Sequence, residues 1–161
     1  MSKIRIVFVC LGNICRSPLA EGILKHLVTK KGFDEKITID SAGTANYHIG
    51  ERPDPRTIEN ASKNGVELLS RARQFSEDDF DRFDYIIPMD ESNWHNITYL
   101  ENNKSEKKYE ILKMRNFDDL AKNADVPDPY YGGPNGFQDV FDILYRSNHK
   151  FLEFLIQTHD L

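Results

Sequence analysis

Cysteine is scarce in this sequence, and long hydrophobic runs are missing from it. Only two cysteines, Cys10 and Cys15, occur among the 161 residues, whereas secreted disulfide-stabilised domains carry more of them, spread along the chain. A structural zinc site needs about four ligands, and no histidine or further cysteine lies near these two in sequence. The apolar stretch from Ile4 to Val9 is far shorter than the roughly 20 residues of a transmembrane helix. We therefore expect a cytoplasmic protein without a membrane partner or a metal site, whose cysteines are reactive rather than structural.

Positively charged residues are also fewer than negatively charged ones. The chain has 21 Lys and Arg residues and 26 Asp and Glu residues, which give a net charge of −5. A protein that binds nucleic acid usually presents a basic face, so we expect no nucleic-acid partner. Hydrophobic residues make up 39% and charged residues 29% of the chain, which is typical of a globular protein rather than a disordered one. The length fits one compact domain, and we predict a single domain over residues 1–161.

Hydrophobic patterns predict strands that alternate with helices along the chain. The predicted strands cover residues 4–9, 37–40, 83–89 and 109–114, and the predicted helices cover residues 18–31, 56–64, 91–100 and 137–157. Asp90 can cap the predicted helix at 91–100. Such alternation implies parallel strands joined by right-handed crossovers, in an open, doubly wound α/β sheet of about four strands with helices on both faces. Ligands of these sheets bind at the carboxyl ends of the strands, where residues 10–17 leave the first strand.

The helix that follows residues 10–17 has clear boundary signals. Ser17 is a preferred N-cap residue, Pro18 suits the first helical position, and Glu21 lies in the first turn, where the helix dipole favours negative charge. Gly32 is a typical helix stop. The positive end of the helix dipole is therefore expected to point at residues 10–17.

Residues 10–17 have the composition of an anion-binding loop. Backbone N–H groups that turn inward form a nest for an anion, and the helix N-terminus adds partial positive charge. Gly12 and Asn13 tolerate the left-handed backbone angles that a tight turn around phosphate often needs. Arg16 adds a planar, permanently charged group that matches two phosphate oxygens. Besides Cys10 and Arg16, the predicted phosphate loop contains Leu11, Gly12, Asn13, Ile14, Cys15 and Ser17.

A thiol at the start of such a loop is a candidate nucleophile. The dipoles that hold phosphate also favour the thiolate of Cys10 over its thiol, and the Ser17 hydroxyl can donate a hydrogen bond to the sulfur. A thiolate here can attack phosphorus and split a hydrolysis into two steps. An ordinary turn beside a buried thiol is the alternative reading. The preceding strand, the Ser-Pro helix start and the Gly-Asn pair weigh against it.

The segment from Val9 to Glu21 resembles the signature of the low-molecular-weight protein tyrosine phosphatases. Five further segments resemble that family in the same order: Asp40 to Thr44, Ala72 to Gln74, Phe83 to Ile86, Met89 to Asn93, and Val126 to Tyr130. The resemblance implies hydrolysis of phosphotyrosine in protein substrates, and of small aryl phosphates, through a phosphocysteine intermediate on Cys10. It implies no cofactor, and inhibition by inorganic phosphate and vanadate.

The resemblance also implies roles for residues outside the loop. Asp128, flanked by two prolines, corresponds to the general acid, which then becomes the base that activates water. Asn13 corresponds to the residue that braces the phosphate loop, with Ser41 as its expected partner. Ser70 departs from the family, because relatives often have His two residues before the Ala-Arg-Gln segment, and this puts the details of the bracing in question.

The substrate slot is expected to be lined by Leu11, Tyr47, Tyr130 and Tyr131, because these match family positions with that role. Ile14 and the tandem tyrosines favour phosphotyrosine, since similar phosphatases that act on phosphoarginine have Thr in place of Ile14. By the same resemblance, Cys15 is a resolving thiol that can form a reversible disulfide with Cys10 and protect it from overoxidation. Its alternative reading is a small buried hydrophobic residue.

Three other functions stay open at this point. Thioredoxin-coupled arsenate reductases have a similar fold and loop but use further cysteines outside the loop, and the two cysteines of this chain both lie inside it. A phosphoarginine phosphatase would use the same loop. A non-catalytic phosphoanion-binding module would need neither Cys10 nor Asp128.

Overall fold

A single parallel sheet of four strands organises the molecule. The computed structural model describes residues 3–101 and 106–161. Its strands are β1 (Ile4–Cys10), β2 (Ile37–Gly43), β3 (Tyr85–Pro88) and β4 (Glu110–Ile111), and its helices are α1 (Arg16–Lys31), α2 (Pro55–Lys63), α3 (Asp79–Arg82), α4 (Glu91–Leu100) and α5 (Gly136–His159). The strand order is β2-β1-β3-β4, with every neighbouring pair parallel. The predicted open, doubly wound α/β fold is confirmed.

The central strand β1 is covered on both faces. Its side chains from Ile6 to Val9 are fully buried, as expected for a continuous apolar run in a parallel sheet. One hydrophobic cluster joins Ile6 and Phe8 to α1 and α5, and a second cluster joins Val7 and Val9 to Phe75 and Phe80. The alternation of side chains along β1 therefore supplies both layers of the core and fixes the position of Cys10 at its end.

The boundaries of β2, β3 and β4 differ from the prediction. β2 continues to Gly43, three residues beyond the predicted end, because β1 offers pairing partners as far as Cys10, which lies opposite Gly43. β4 contains only Glu110 and Ile111 rather than residues 109–114, since it pairs with β3 on one side only, and a 3₁₀ helix begins at Met114. β3 is also shorter than predicted, and the four-residue helix α3 was not predicted.

The start of α1 also corrects the prediction. The helix begins at Arg16, and Cys15 rather than Ser17 occupies the N-cap position, without a side-chain capping bond. Ser17 lies inside the helix because its hydroxyl contacts the sulfur of Cys10 instead. Gly32 ends the helix in the left-handed conformation, with φ 75°, as predicted.

Two further helices start with aspartate caps. Asp90 caps α4 through a hydrogen bond from the Asn93 N–H, as predicted, and Asp54 caps α2, which has Pro55 at its first position. Among residues 3–101 and 106–161, no helix combines the length and the apolar character that crossing a membrane requires.

Candidate active site

The loop that follows β1 forms the floor of a cavity of about 250 Å³ at the carboxyl edge of the sheet. The cavity brings together the predicted nucleophile, the predicted phosphate-binding arginine and the predicted acid. Its lining residues are Cys10, Leu11, Gly12, Ile14, Cys15, Arg16, Tyr47, His48, Asp128, Tyr130 and Tyr131. The side chains of Asn13, Ser17 and Ser41 do not line the cavity but hydrogen-bond to one another on the other side of the loop backbone.

The sulfur of Cys10 faces a hydroxyl whose orientation is constrained. Cys10 Sγ lies 3.0 Å from Ser17 Oγ, and Ser17 Oγ accepts a hydrogen bond of 2.8 Å from Asn13 Nδ2. This leaves the hydroxyl hydrogen for the sulfur, since the other acceptor in reach, the Ala42 carbonyl, is more distant at 3.4 Å. Both residues sit at the N-terminal end of α1, where the helix dipole favours a negative charge.

Asn13 braces the loop from behind. Its backbone is left-handed, with φ 57°, a conformation that asparagine adopts more readily than most residues. Its amide nitrogen donates to the hydroxyls of Ser17 and Ser41, at 2.8 and 2.9 Å, and its amide oxygen accepts the Arg73 N–H at 3.0 Å. The side chain therefore ties the loop to the start of α1, to β2 and to the segment at Arg73.

The brace extends to a buried carboxylate that the sequence interpretation missed. Ser41 Oγ donates a 2.6 Å hydrogen bond to Glu21 Oε1, and Lys25 Nζ contacts the other oxygen at 2.5 Å. The prediction that Glu21 lies in the first helical turn is wrong, because α1 begins at Arg16 and has no acidic residue in its first turn. Glu21 is buried in the structure, and the pattern of neighbouring residues contains no signal of its contact with Ser41. Ser70, which departs from the family pattern, lies half-buried in the segment before Arg73.

Arg16 is buried and anchored on one side. Its Nη1 donates to Asp90 Oδ2 at 2.6 Å and to the Val126 carbonyl at 3.0 Å. Burial opposes its charge, but the neighbouring Cys10 sulfur and the Asp90 carboxylate outweigh that effect, so that the pKa of the guanidinium is raised. A guanidinium has further N–H donors, and these are available to an anion on the loop.

Asp90 has a second role that sequence reasoning did not find. The sequence predicts Asp90 as a helix cap, and Oδ1 does accept the Asn93 N–H at 2.8 Å. Its other oxygen holds Arg16. The available signal was its position directly after β3, at the same sheet edge as the loop.

The loop rests on the bare backbone of β2. A Cβ atom on Gly43 would lie 2.7 Å from the Leu11 carbonyl oxygen, which is closer than packing allows, and in a tight contact of 3.2 Å with Asn13 Cβ. The N–H groups of Thr44 and Ala45 also donate to the carbonyls of Cys10 and Leu11, at 2.9 Å each. The end of β2 therefore supports the loop directly.

The acidic side of the cavity comes from the loop before α5. Asp128 is half-buried, and its Oδ1 accepts the Tyr130 N–H at 2.9 Å, at the start of a short 3₁₀ helix over Pro129–Tyr131. This segment packs closely on α5, since a Cβ on Gly136 would lie 2.9 Å from the Pro129 carbonyl. Tyr130, Tyr131 and, from the other side, Tyr47 form an exposed aromatic rim.

His48 also lines the cavity and was not predicted. Its ring covers Gly12, where an added Cβ would lie 3.1 Å from His48 Cδ2. The Nδ1 atom lies 2.7 Å from Glu51 Oε2, and Tyr47 packs edge-on against the imidazole, with 6.5 Å between the ring centroids. The sequence contains no signal that marks this histidine as a cavity residue, although the family resemblance had indicated its neighbour Tyr47.

Cys15 differs in environment from Cys10. Both cysteines are free and buried, but burial raises the pKa of the Cys15 thiol to about 12, and the Asp54 carboxylate contributes in the same direction. Cys15 is therefore a neutral thiol at physiological pH. A Cys10–Cys15 disulfide stays a prediction.

The arrangement fits the covalent transfer of a phosphoryl group. A dianion on the loop would meet the helix N-terminus and Arg16, with the Cys10 sulfur below it and the Asp128 carboxyl at the opposite wall. No cluster of three or more His, Cys, Asp or Glu side chains able to hold a metal ion occurs within the described ranges, 3–101 and 106–161.

Comparison with known proteins places these features in a family. Residues 5–160 match the family model described as low molecular weight phosphotyrosine protein phosphatase. A relative of that name from Schizosaccharomyces pombe is 44% identical over 152 residues, which cover 94% of this chain and 96% of the relative.

Two solved structures extend the similarity to the fold. A protein tyrosine phosphatase from Entamoeba histolytica superposes with a TM-score of 0.90 at 38% identity, covering 98% of this chain and 99% of that one. The structure of YfkJ from Bacillus subtilis gives a TM-score of 0.89 at 40% identity, covering 100% of this chain and 99% of that one.

Proposed function

The chain belongs to the low molecular weight phosphotyrosine protein phosphatase family and is a protein tyrosine phosphatase, and we propose that Cys10, Arg16 and Asp128 carry out its chemistry. The observation that carries this assignment is the cavity itself. It places a sulfur 3.0 Å from the Ser17 hydroxyl, beside a buried guanidinium and below a carboxyl group.

In the first step, the Cys10 thiolate attacks phosphorus, and the bond between phosphorus and the phenolic oxygen breaks. The electron pair goes to the phenolic oxygen, which takes the proton of Asp128 and leaves as neutral tyrosine. The backbone N–H groups of the loop and the guanidinium of Arg16 stabilise the charge on the transferring phosphoryl oxygens.

In the second step, water attacks the phosphocysteine. The Asp128 carboxylate takes a proton from the water, the sulfur–phosphorus bond breaks, and inorganic phosphate forms. The electron pair returns to sulfur, where the Ser17 hydroxyl stabilises the departing thiolate by donating its hydrogen bond. Asn13 supports this step by holding Ser17 in the donating orientation.

The rim supports phosphotyrosine as the substrate. A phenyl ring extends further from phosphorus than a serine side chain does, and the aromatic side chains of Tyr47, Tyr130 and Tyr131 suit its faces. Ile14 gives the inner wall an apolar contact, which suits a phenyl ring better than the guanidinium of phosphoarginine. We propose that the substrates are phosphotyrosine proteins of the cytoplasm, and that phosphate and vanadate inhibit by occupying the same loop.

Hydrolysis of aryl phosphates by two variants tests this assignment. Cys10→Ser is expected to abolish turnover while phosphate still binds, because the loop and Arg16 remain. Asp128→Asn is expected to lower the rate about 10²–10⁴-fold for substrates whose leaving group needs a proton. Asp119→Asn is the matched control, since Asp119 is exposed and contacts only Lys150 at 3.6 Å among the ion pairs of the described residues.

Wild-type turnover by the Cys10→Ser enzyme would exclude the nucleophile proposed here. Faster hydrolysis of phosphoarginine than of phosphotyrosine would contradict the substrate assignment and leave the chemistry in place.

A further inference from the structure

A cation outside the cavity links the two catalytic loops. Arg56, in the first turn of α2, has a half-exposed side chain, and its guanidinium carbon lies 4.5 Å from the centroid of the Tyr130 ring and 4.8 Å from that of Phe137. A guanidinium stacks on aromatic faces in this geometry. Arg56 thus packs on the outer side of the segment that carries Asp128.

The guanidinium is itself held in place. Arg56 Nε and Nη2 donate to the two oxygens of Asp54, at 3.1 and 2.9 Å, which is a paired geometry that fixes the plane of the group. The pKa of the Asp54 carboxyl is lowered by this hydrogen bond, so the partner stays ionised. The side chain of Arg56 therefore presents a defined face to Tyr130.

The anchor of Arg56 is attached to the phosphate loop. The backbone N–H of Asp54 donates a 2.8 Å hydrogen bond to the carbonyl of Ile14, which lies inside the loop. On the other side, the N–H of Tyr130 donates to Asp128 Oδ1. The contacts Ile14–Asp54–Arg56–Tyr130–Asp128 thus form a continuous path around the outside of the cavity, from the loop that binds phosphate to the carboxyl group.

We propose that Arg56 is a positioning residue, which sets the distance of the Asp128 carboxyl from the phosphate loop by holding Tyr130 against α2. The proposal rests on the proposed role of Asp128 as the general acid. Arg56 is not among the residues that line the cavity, so its effect is expected only where proton donation limits the rate.

The test compares aryl phosphates with leaving groups of different acidity. Arg56→Ala is expected to lower kcat/KM about tenfold for phenyl phosphate and phosphotyrosine peptide, and less than about threefold for dinitrophenyl phosphate, whose leaving group needs no proton. The inhibition constant for phosphate is expected to stay unchanged, because the loop is intact. Arg56→Lys is expected to fall between wild type and Arg56→Ala, since an ammonium group can pair with Asp54 but has no planar face for Tyr130.

Lys63→Ala is the matched control, because it removes an exposed cation at the other end of the same helix. In an Asp128→Asn background, Arg56→Ala is expected to have no further effect, since the acid through which it acts is gone. Equal losses for all leaving groups, or the same loss in both backgrounds, would overturn the role of Arg56. If Asp128→Asn itself retained wild-type activity, the proposed function would fail instead.

Discussion

The phosphate loop and the rim of the cavity differ in their exposure to solvent. Asn13 and Ser17 of the loop are 2% and 0% exposed, and the side chain of each makes at least two hydrogen bonds. Tyr47 and Tyr131 of the rim are 70% and 87% exposed. The groups that we propose bind the anion are thus part of the folded core, whereas the groups that we propose meet the phenyl ring are exposed side chains at its surface.

This difference separates two properties of the enzyme. Binding of the phosphoryl group depends on interactions that also stabilise the fold, so a change in one should change the other. Selection of the rest of the substrate depends on exposed side chains whose replacement leaves the core intact. Three predictions test that separation, from the largest expected effect on stability to the smallest.

Asn13→Ala is expected to reduce the free energy of unfolding by about 2–4 kcal/mol, because it removes three hydrogen bonds and places alanine in a left-handed conformation. Turnover is expected to fall with it, since Ser17 loses its orienting donor. Denaturant unfolding and aryl phosphate hydrolysis measure the two effects.

Asn123→Ala provides the control, since Asn123 is exposed and also left-handed, with φ 65°. It is expected to lose roughly 1 kcal/mol from backbone strain alone. Similar losses at both positions would mean that the hydrogen bonds of Asn13 contribute little, and the contrast between loop and rim would fail.

The burial of the Cys15 thiol is expected to make the free energy of unfolding depend on pH. Its folded pKa of about 12 lies above the ordinary value of 9.0, so the folded state holds this proton more tightly than the unfolded state. The resulting stabilisation is fully present below pH 9.0 and is lost as the pH rises towards 12. Between pH 9 and 11, the wild type is expected to lose about 1 kcal/mol per pH unit more than Cys15→Ala.

Urea unfolding across this pH range measures the slope for each protein. The comparison uses slopes, so the constant loss of stability from the smaller side chain does not affect it. Parallel curves for the two proteins would show that Cys15 titrates normally and is not part of the buried core.

Tyr131→Ala addresses the rim, where the smallest effect on stability is expected. The free energy of unfolding should change by less than about 0.5 kcal/mol, because the side chain is largely exposed. The KM for a phosphotyrosine peptide should rise while the KM for a small alkyl phosphate stays constant, since the alkyl group does not reach the rim. Tyr99→Ala is the control, because it removes an exposed tyrosine from α4. A loss of stability comparable to that of Asn13→Ala would contradict the separation of rim and core.

The sequence predicted those features that depend on neighbouring residues. The apolar run of β1, the Gly32 helix stop and the Asp90 cap all follow local rules, and all were found. The start of α1 was predicted incorrectly because Ser17 satisfies two local patterns, an N-cap and a partner for the thiol. The tertiary contact with Cys10 decides between them.

The features that were missed depend on contacts between distant segments. Asp90 meets Arg16 across 74 positions, and Glu21 meets Ser41 across 20. A helix cap explains Asp90 locally, and a favourable charge near the helix N-terminus explains Glu21. Nothing in the sequence therefore indicates a second role for either residue. The extra length of β2 has the same origin, because it depends on how far β1 continues beside it.

The contact at Gly43 determines how deep the cavity can be. The phosphate loop meets the main chain of β2 there, and no side chain lies between them. Side chains adapt to a neighbour by changing rotamer, but a paired strand keeps its spacing to the next backbone. Substitutions elsewhere in the core can therefore change the packing around the cavity. The position of the phosphate loop, and with it the depth of the cavity, stays fixed by the direct backbone contact with β2.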